Sequence, residues 1–155
     1  MDCLLMSKKI KAIISTKEIC TFKKCENFKE LITFIKVFMR GFNNQKYKFV
    51  FYLVGSLAPK YDNFLVYTDD KIVGCFCICT EVNLEKGSSE VYLYDFCILD
   101  EYRHMGIGTD VLKCVLNYVY TLGYDKLTLE VEDNNTIALL LYKKLGFERE
   151  ELKCA

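Results

Sequence analysis

The chain has 155 residues, 52% of them hydrophobic, which is enough to bury one core and too few for two. Lys+Arg and Asp+Glu each number 21, so the basic excess of a nucleic-acid binder is missing, and no apolar stretch is long enough to cross a membrane. Nine Cys is an odd count in a chain too large to need a disulfide framework, which favours reduced thiols acting as small apolar residues in a cytoplasmic protein.

Residues 9–15 and 19–22 lean towards strand. Asn27, with Glu30 three residues on, has the capping-box pattern, and Phe28, Leu31, Ile32, Ile35, Phe38 and Met39 follow helical spacing to an end near Gly41. The apolar run 47–57, closed by Pro59 and Asp62-Asn63, reads as a further helix. Residues 64–67 and 71–80 read as strands joined at Asp69-Asp70, a pair suited to a hairpin. Cys75, Cys77 and Cys79 alternate within the second of these, so they share a face and lack the turn that a tetrahedral metal site uses; no metal is expected. Residues 85–89 read as a loop, and 90–99 as another strand.

That strand feeds Arg103-His104-Met105-Gly106-Ile107-Gly108. A helix follows, with Ile107, Val111, Leu112, Val115, Leu116 and Val119 on one stripe and Gly123 at its C′ position. Residues 126–131 alternate as a strand, Asp133-Asn134 reads as a cap, and 137–145 reads as a helix stopped by Gly146. A short final strand starts at Phe147. The expected fold is mixed α/β in one domain over 1–155, with 1–17 as an extra N-terminal segment. An antiparallel meander leads into a strand-helix-strand-helix unit with a parallel crossover. Charge is uneven, with 12 Lys+Arg against 4 Asp+Glu in residues 1–60 and 9 against 17 afterwards, read as two solvated surfaces.

A strand, a glycine-bearing loop and a helix start together make a phosphate-binding arrangement. Glycine lets the backbone approach a ligand, and the helix start offers unpaired N–H groups at a positive dipole end. Arg103-x-x-Gly106-x-Gly108 also resembles the R/Q-x-x-G-x-G/A signature of the GCN5-related N-acetyltransferase (GNAT) superfamily. Asn135-x-x-Ala138-x-x-Leu141-Tyr142, with Leu145-Gly146-Phe147, is similar to its second signature.

The resemblance implies an acetyl-CoA-dependent enzyme that passes acetyl directly to a primary amine of a protein, a peptide or a small molecule. The alternative is an inactive relative that binds CoA or a protein partner. It further implies that the pyrophosphate sits on the loop Arg103, His104, Met105, Gly106, Ile107, Gly108 and Thr109. The pantetheine arm would use the main chain of Phe96, Cys97 and Ile98 where two strands splay apart, and Asn135 would contact the cofactor. Tyr142 would protonate the leaving CoA thiolate. Glu130 is the first candidate for the base, by a spacing to Tyr142 similar to that in the ribosomal-protein alanine acetyltransferase branch; Asp95, Glu90 and Tyr94 follow. Cys97 as an acyl-carrying nucleophile is a remote option. Only eight residues follow Phe147, so one strand fits there and the family's usual seventh does not. Either the acceptor side is open, or a homodimer partner or segment 1–17 fills the gap.

Overall fold

The computed structural model describes residues 2–42, 53, 55, 57–80 and 90–151. The elements run β1 (Cys3–Lys9), β2 (Thr21–Lys24), α1 (Phe28–Gly41), β3 (Tyr61–Thr68), β4 (Lys71–Cys79), β5 (Glu90–Ile98), α2 (Ile107–Thr121), β6 (Lys126–Glu132), α3 (Thr136–Lys144) and β7 (Glu148–Arg149). The strands form one mixed sheet in the order β2-β3-β4-β5-β6-β1-β7. β2 to β5 are an antiparallel meander, and α2 carries the chain across to β6, which lies parallel to β5. Among the described residues no helix is long and apolar enough to cross a membrane.

Local chemistry explains most of these elements. Asn27 Oδ1 accepts the Glu30 amide at 2.9 Å, and Glu30 reaches back to the Glu26 amide at 2.8 Å, so α1 starts on a reciprocal cap. Asp69 and Asp70 both take positive φ, 47° and 62°, as a two-residue hairpin turn requires. α2 buries the stripe Ile107, Val111, Leu112, Val115, Leu116 and Val119 on one face of the sheet. α1 packs Leu31, Phe34, Ile35 and Phe38 on the other, against Leu65, Cys75, Cys77, Cys97 and Leu99. The thiols of β4 are thus core residues, as their alternation implies.

Expectations at both ends of the chain need correction. The first strand is Cys3–Lys9 and not 9–15: residues 3–9 carry no β-branched side chain, and only their partners hold them extended. β1 lies between β6 and β7, pairing Leu4 with Val131 and Met6 with both Leu129 and Arg149. Segment 1–17 therefore supplies a strand to this side of the sheet, between β6 and β7. Residues after β1 cross to α2 as an extended connection, with Ile14 bonded to Asn117 through both its amide and its carbonyl, and Lys17 and Ile19 amides on buried Asp110 at 2.6 and 3.0 Å. The strand read at 19–22 begins two residues later. The second correction concerns α3, whose cap is Asn135, with Oδ1 accepting from the Ala138 amide at 3.2 Å, and not Asp133-Asn134. The loop read at 85–89 and most of the helix read at 47–57 lie outside the described residues.

Candidate active site

β5 and β6 pair only from Glu90↔Lys126 to Leu93↔Leu129. Beyond that pair the two parallel strands separate, and Tyr94 to Ile98 keep β4 as their one strand neighbour. A bulge sits at the point of separation. Tyr94 pairs with Cys77 and Cys97 with Cys75, so Asp95 and Phe96 together oppose Phe76, and Asp95 takes the left-handed φ of 54°.

The Leu99 amide bonds Val73 O at 2.8 Å. By antiparallel alternation, the main chain of Cys97 then faces β4, while that of Ile98 faces the opening. The Ile98 carbonyl is already taken by Arg103 Nε at 2.9 Å. Arg103 also donates to Gly41 O at 3.1 Å and pairs with Asp100 at 2.6 Å. Its guanidinium fastens the loop to β5 and α1. Cys97 Sγ lies 3.5 Å from Cys75 Sγ and is buried where α1 ends, at Gly41.

The loop itself is open. His104 and Gly106 have positive φ, 61° and 79°, and nothing lies within 4 Å of a Cβ built on Gly106. Gly106 is the N-cap of α2, and its carbonyl accepts the Asp110 amide at 3.1 Å. The amides of Ile107, Gly108 and Thr109 are left without an intrahelical partner, as an anion site needs. A Cβ on Gly108 would reach only ordinary contact, 3.7 Å, with Ile98 and Leu141. His104 and Met105 are exposed, and among the described residues no hydrogen bond or ion pair engages the imidazole.

Tyr142 is set by the way α3 ends. Gly146 at φ 84° lets the Phe147 amide bond Tyr142 O at 2.9 Å and its own amide bond Lys143 O at 2.9 Å. This is a Schellman closure, whose usual apolar contact is here the Tyr142 ring against Phe147 at 5.7 Å. The side chain is buried, and burial pushes its hydroxyl up to about 12. It remains a proton donor throughout the neutral range.

Across the sheet, on the α1 face, stand Tyr61, Tyr92 and Tyr94, with Tyr94 centred 6.1 Å from each of the others. Burial pushes Tyr94 up to about 12, and the nearby Glu130 charge adds to that shift. Glu130 is exposed on β6 beyond the last paired residue. Glu90 is buried at the opposite end of β5, where it accepts from Thr128 and pairs with Lys126 at 3.4 Å, a structural engagement. Asp95 is half-buried, and desolvation pushes its carboxyl up to about 6. Nothing in the alternation of residues 90–99 signals the bulge that turns it; an Asp inside an apolar strand is the one clue.

A family model described as the acetyltransferase (GNAT) family matches residues 28–147. N-alpha-acetyltransferase 50 of Danio rerio is 35% identical over 118 residues, 76% of this chain and 66% of that protein. A [ribosomal protein bS18]-alanine N-acetyltransferase of Haemophilus ducreyi is 29% identical over 97 residues, 63% of each chain. The chain spans between about half and two thirds of the length of the first curated relatives it matches. A GNAT acetyltransferase of Elizabethkingia anophelis with acetyl-CoA bound shares the fold at TM-score 0.63 and 17% identity, over 87% of this chain and 80% of that one. A soil metagenomic aminoglycoside acetyltransferase in complex with sisomicin does so at TM-score 0.69 and 14% identity, over 83% and 88%.

Proposed function

Because the chain belongs to the GNAT acetyltransferase family, we propose that it transfers the acetyl group of acetyl-CoA to a primary amine. The observation that carries this reading is the separation of β5 from β6 after Leu93 and Leu129, beside a helix start whose first amides have no intrahelical partner. Acetyl-CoA, a substrate here, carries a pyrophosphate suited to those amides and a pantetheine arm suited to the exposed edge of β5. Loop residues Arg103 to Thr109 bind through their main chain, with Arg103 shaping the loop from behind. Ile98 offers its amide, Phe96 lines the channel, and Asn135 adds the half of its side-chain amide that the α3 cap does not use. Tyr142 lies on the α2 face and gives its proton to the departing thiolate.

The acceptor is an α-amino group of a protein chain, in line with the names of the curated relatives. A small polyamine or aminoglycoside is the second reading, favoured by the exposed carboxylates Glu130 and Glu132 at the mouth of the opening. A CoA binder without turnover would be favoured by a gap beside β6, and β1 occupies that position.

The test is acetyl-CoA turnover against peptides with free N-termini, lysine peptides, spermidine and an aminoglycoside, using wild type and Tyr142→Phe. Tyr142→Phe should lower turnover by about 10²-fold or more while leaving acetyl-CoA affinity within a few-fold. Tight acetyl-CoA binding with no acetylation of any amine would establish the non-enzymatic reading instead.

A further inference from the structure

We propose that Asp95 is the catalytic base that takes the proton of the acceptor amine, on the face of the sheet opposite Tyr142. The inference rests on the N-acetyltransferase reading above and adds a residue to it.

Its position is the first argument. Asp95 is the additional residue of the bulge, two places past the last β5–β6 pair, so it stands at the mouth of the opening. Phe96, beside it, belongs with the α2-face core and lies near Gly108. Asp95 instead interacts electrostatically with Cys75, Cys77 and Cys97, all members of the α1-face core. Tyr142 packs on the α2 face. A thioester held between the strands would then have a proton donor on one side and a proton acceptor on the other.

The second argument is that, among the described residues, nothing structural uses this carboxylate. Among the described residues its carboxylate makes no hydrogen bond and no ion pair; its charge acts on those three thiols, and desolvation alone raises its own proton affinity. From α1 it meets an apolar face: Lys36 and Arg40 are exposed, and Arg40 is paired with Glu101 at 2.5 Å. From β6, Glu130 acts on Tyr94 and Tyr92. Arg103 is committed to Asp100 and two carbonyls. A half-buried carboxylate in left-handed backbone, with no compensating partner, costs the fold free energy at two levels. Such a cost is expected where a group is poised for chemistry. Desolvation places its proton affinity, at about 6, close to neutral, whereas Glu130 is exposed and Glu90 is tied to Thr128 and Lys126.

The protons balance. The bound ammonium gives one proton to Asp95, which returns it to water. The freed nitrogen lone pair forms the C–N bond to the thioester carbonyl. As the C–S bond breaks, the sulfur takes the Tyr142 proton, and the proton shed by the nitrogen restores Tyr142. One amine and one acetyl-CoA give one amide, one free CoA thiol and one proton.

The test is the pH dependence of kcat/KM with a free-amine peptide or with whichever amine of the panel is turned over. Wild type should reach its plateau just above pH 6, because Asp95 can deprotonate the ammonium form. Asp95→Asn should lose roughly 10²-fold or more and move its acid limb up to the amine's own range, about 8 for an α-amino group. Asp95→Glu should restore part of the rate and return the limb towards acid pH, and Glu130→Gln should leave the limb where it is. An unmoved limb in Asp95→Asn overturns the proposal. Carbon-13 carboxyl NMR of the wild type supplies an arm that needs no acceptor and no variant: an Asp95 titration near 4 also overturns it. Failure of all amines as substrates, with Asp95 titrating near 6, would count against the N-acetyltransferase reading and with it this role.

Discussion

Arg103 Nε donates to the Ile98 carbonyl at 2.9 Å, so the residue that opens the glycine loop grips the end of the strand leading into it. Its other nitrogens hold Gly41 O and Asp100. Arg103→Met should therefore destabilise the fold by about 1–3 kcal/mol and weaken acetyl-CoA binding through the loop's shape. Arg103→Lys should repair little, since an ammonium cannot reproduce the fork. Urea unfolding and calorimetric titration with acetyl-CoA, run side by side, decide the matter. Weakened binding at unchanged stability would mean that the guanidinium touches a phosphate after all.

Two glycines press on Cys97 in different ways. A Cβ on Gly41 would lie 2.5 Å from Cys97 Sγ, whereas one on Gly74 would lie 2.2 Å from the Cys97 carbonyl oxygen. Both Ala variants should be destabilised, Gly41→Ala by about 1–3 kcal/mol and Gly74→Ala by more, because backbone cannot step aside. Adding Cys97→Ala should rescue Gly41→Ala and leave Gly74→Ala unimproved. Thermal melts of the four variants check this, and equal rescue of both would refute the geometry.

Asp95 should also reveal itself in stability. Its folded proton affinity, about 6, lies above the ordinary range for an unfolded Asp, about 3.9, so the folded state binds the proton more tightly. The stability this linkage contributes is fully present below about 4 and is lost as pH rises through 6. Asp95→Asn removes the charge and keeps a residue tolerant of left-handed backbone. It should be more stable than wild type by about 1–3 kcal/mol at pH 7.5, with the gain shrinking towards pH 4.5. Denaturant unfolding at the two pH values measures it; a destabilised variant at pH 7.5 would show that the carboxylate has a favourable partner.

The glycine loop, α2 and both helix-ending glycines are legible from residue type, because each depends on local chemistry: φ at Gly123 and Gly146, and an apolar stripe of period 3.6. Tyr142 is singled out only by the resemblance of its motif to the family's second signature, while the helix end that sets it is announced by Gly146-Phe147. What escapes is set by distant partners. Residues 3–9 show no strand pattern, since their extension depends on Leu129, Val131 and Arg149. The bulge at Asp95 arises from a mismatch with β4 that no feature of β5 alone encodes. Arg103 is found by its motif, but the work of its side chain on Ile98 and Gly41 is visible only in three dimensions.

The place of β1 has a consequence for the order of folding. Leu4 must find Val131, and β7 has no neighbour in the sheet until Met6 and Ser7 offer it one. During synthesis, β1 has to wait for β6, far along the chain, before its slot exists. Contacts this remote in sequence close slowly. β2 to β5 can zip by hairpins well before then, so the meander side of the molecule forms first. The wall beside Glu130 is completed last, by β1.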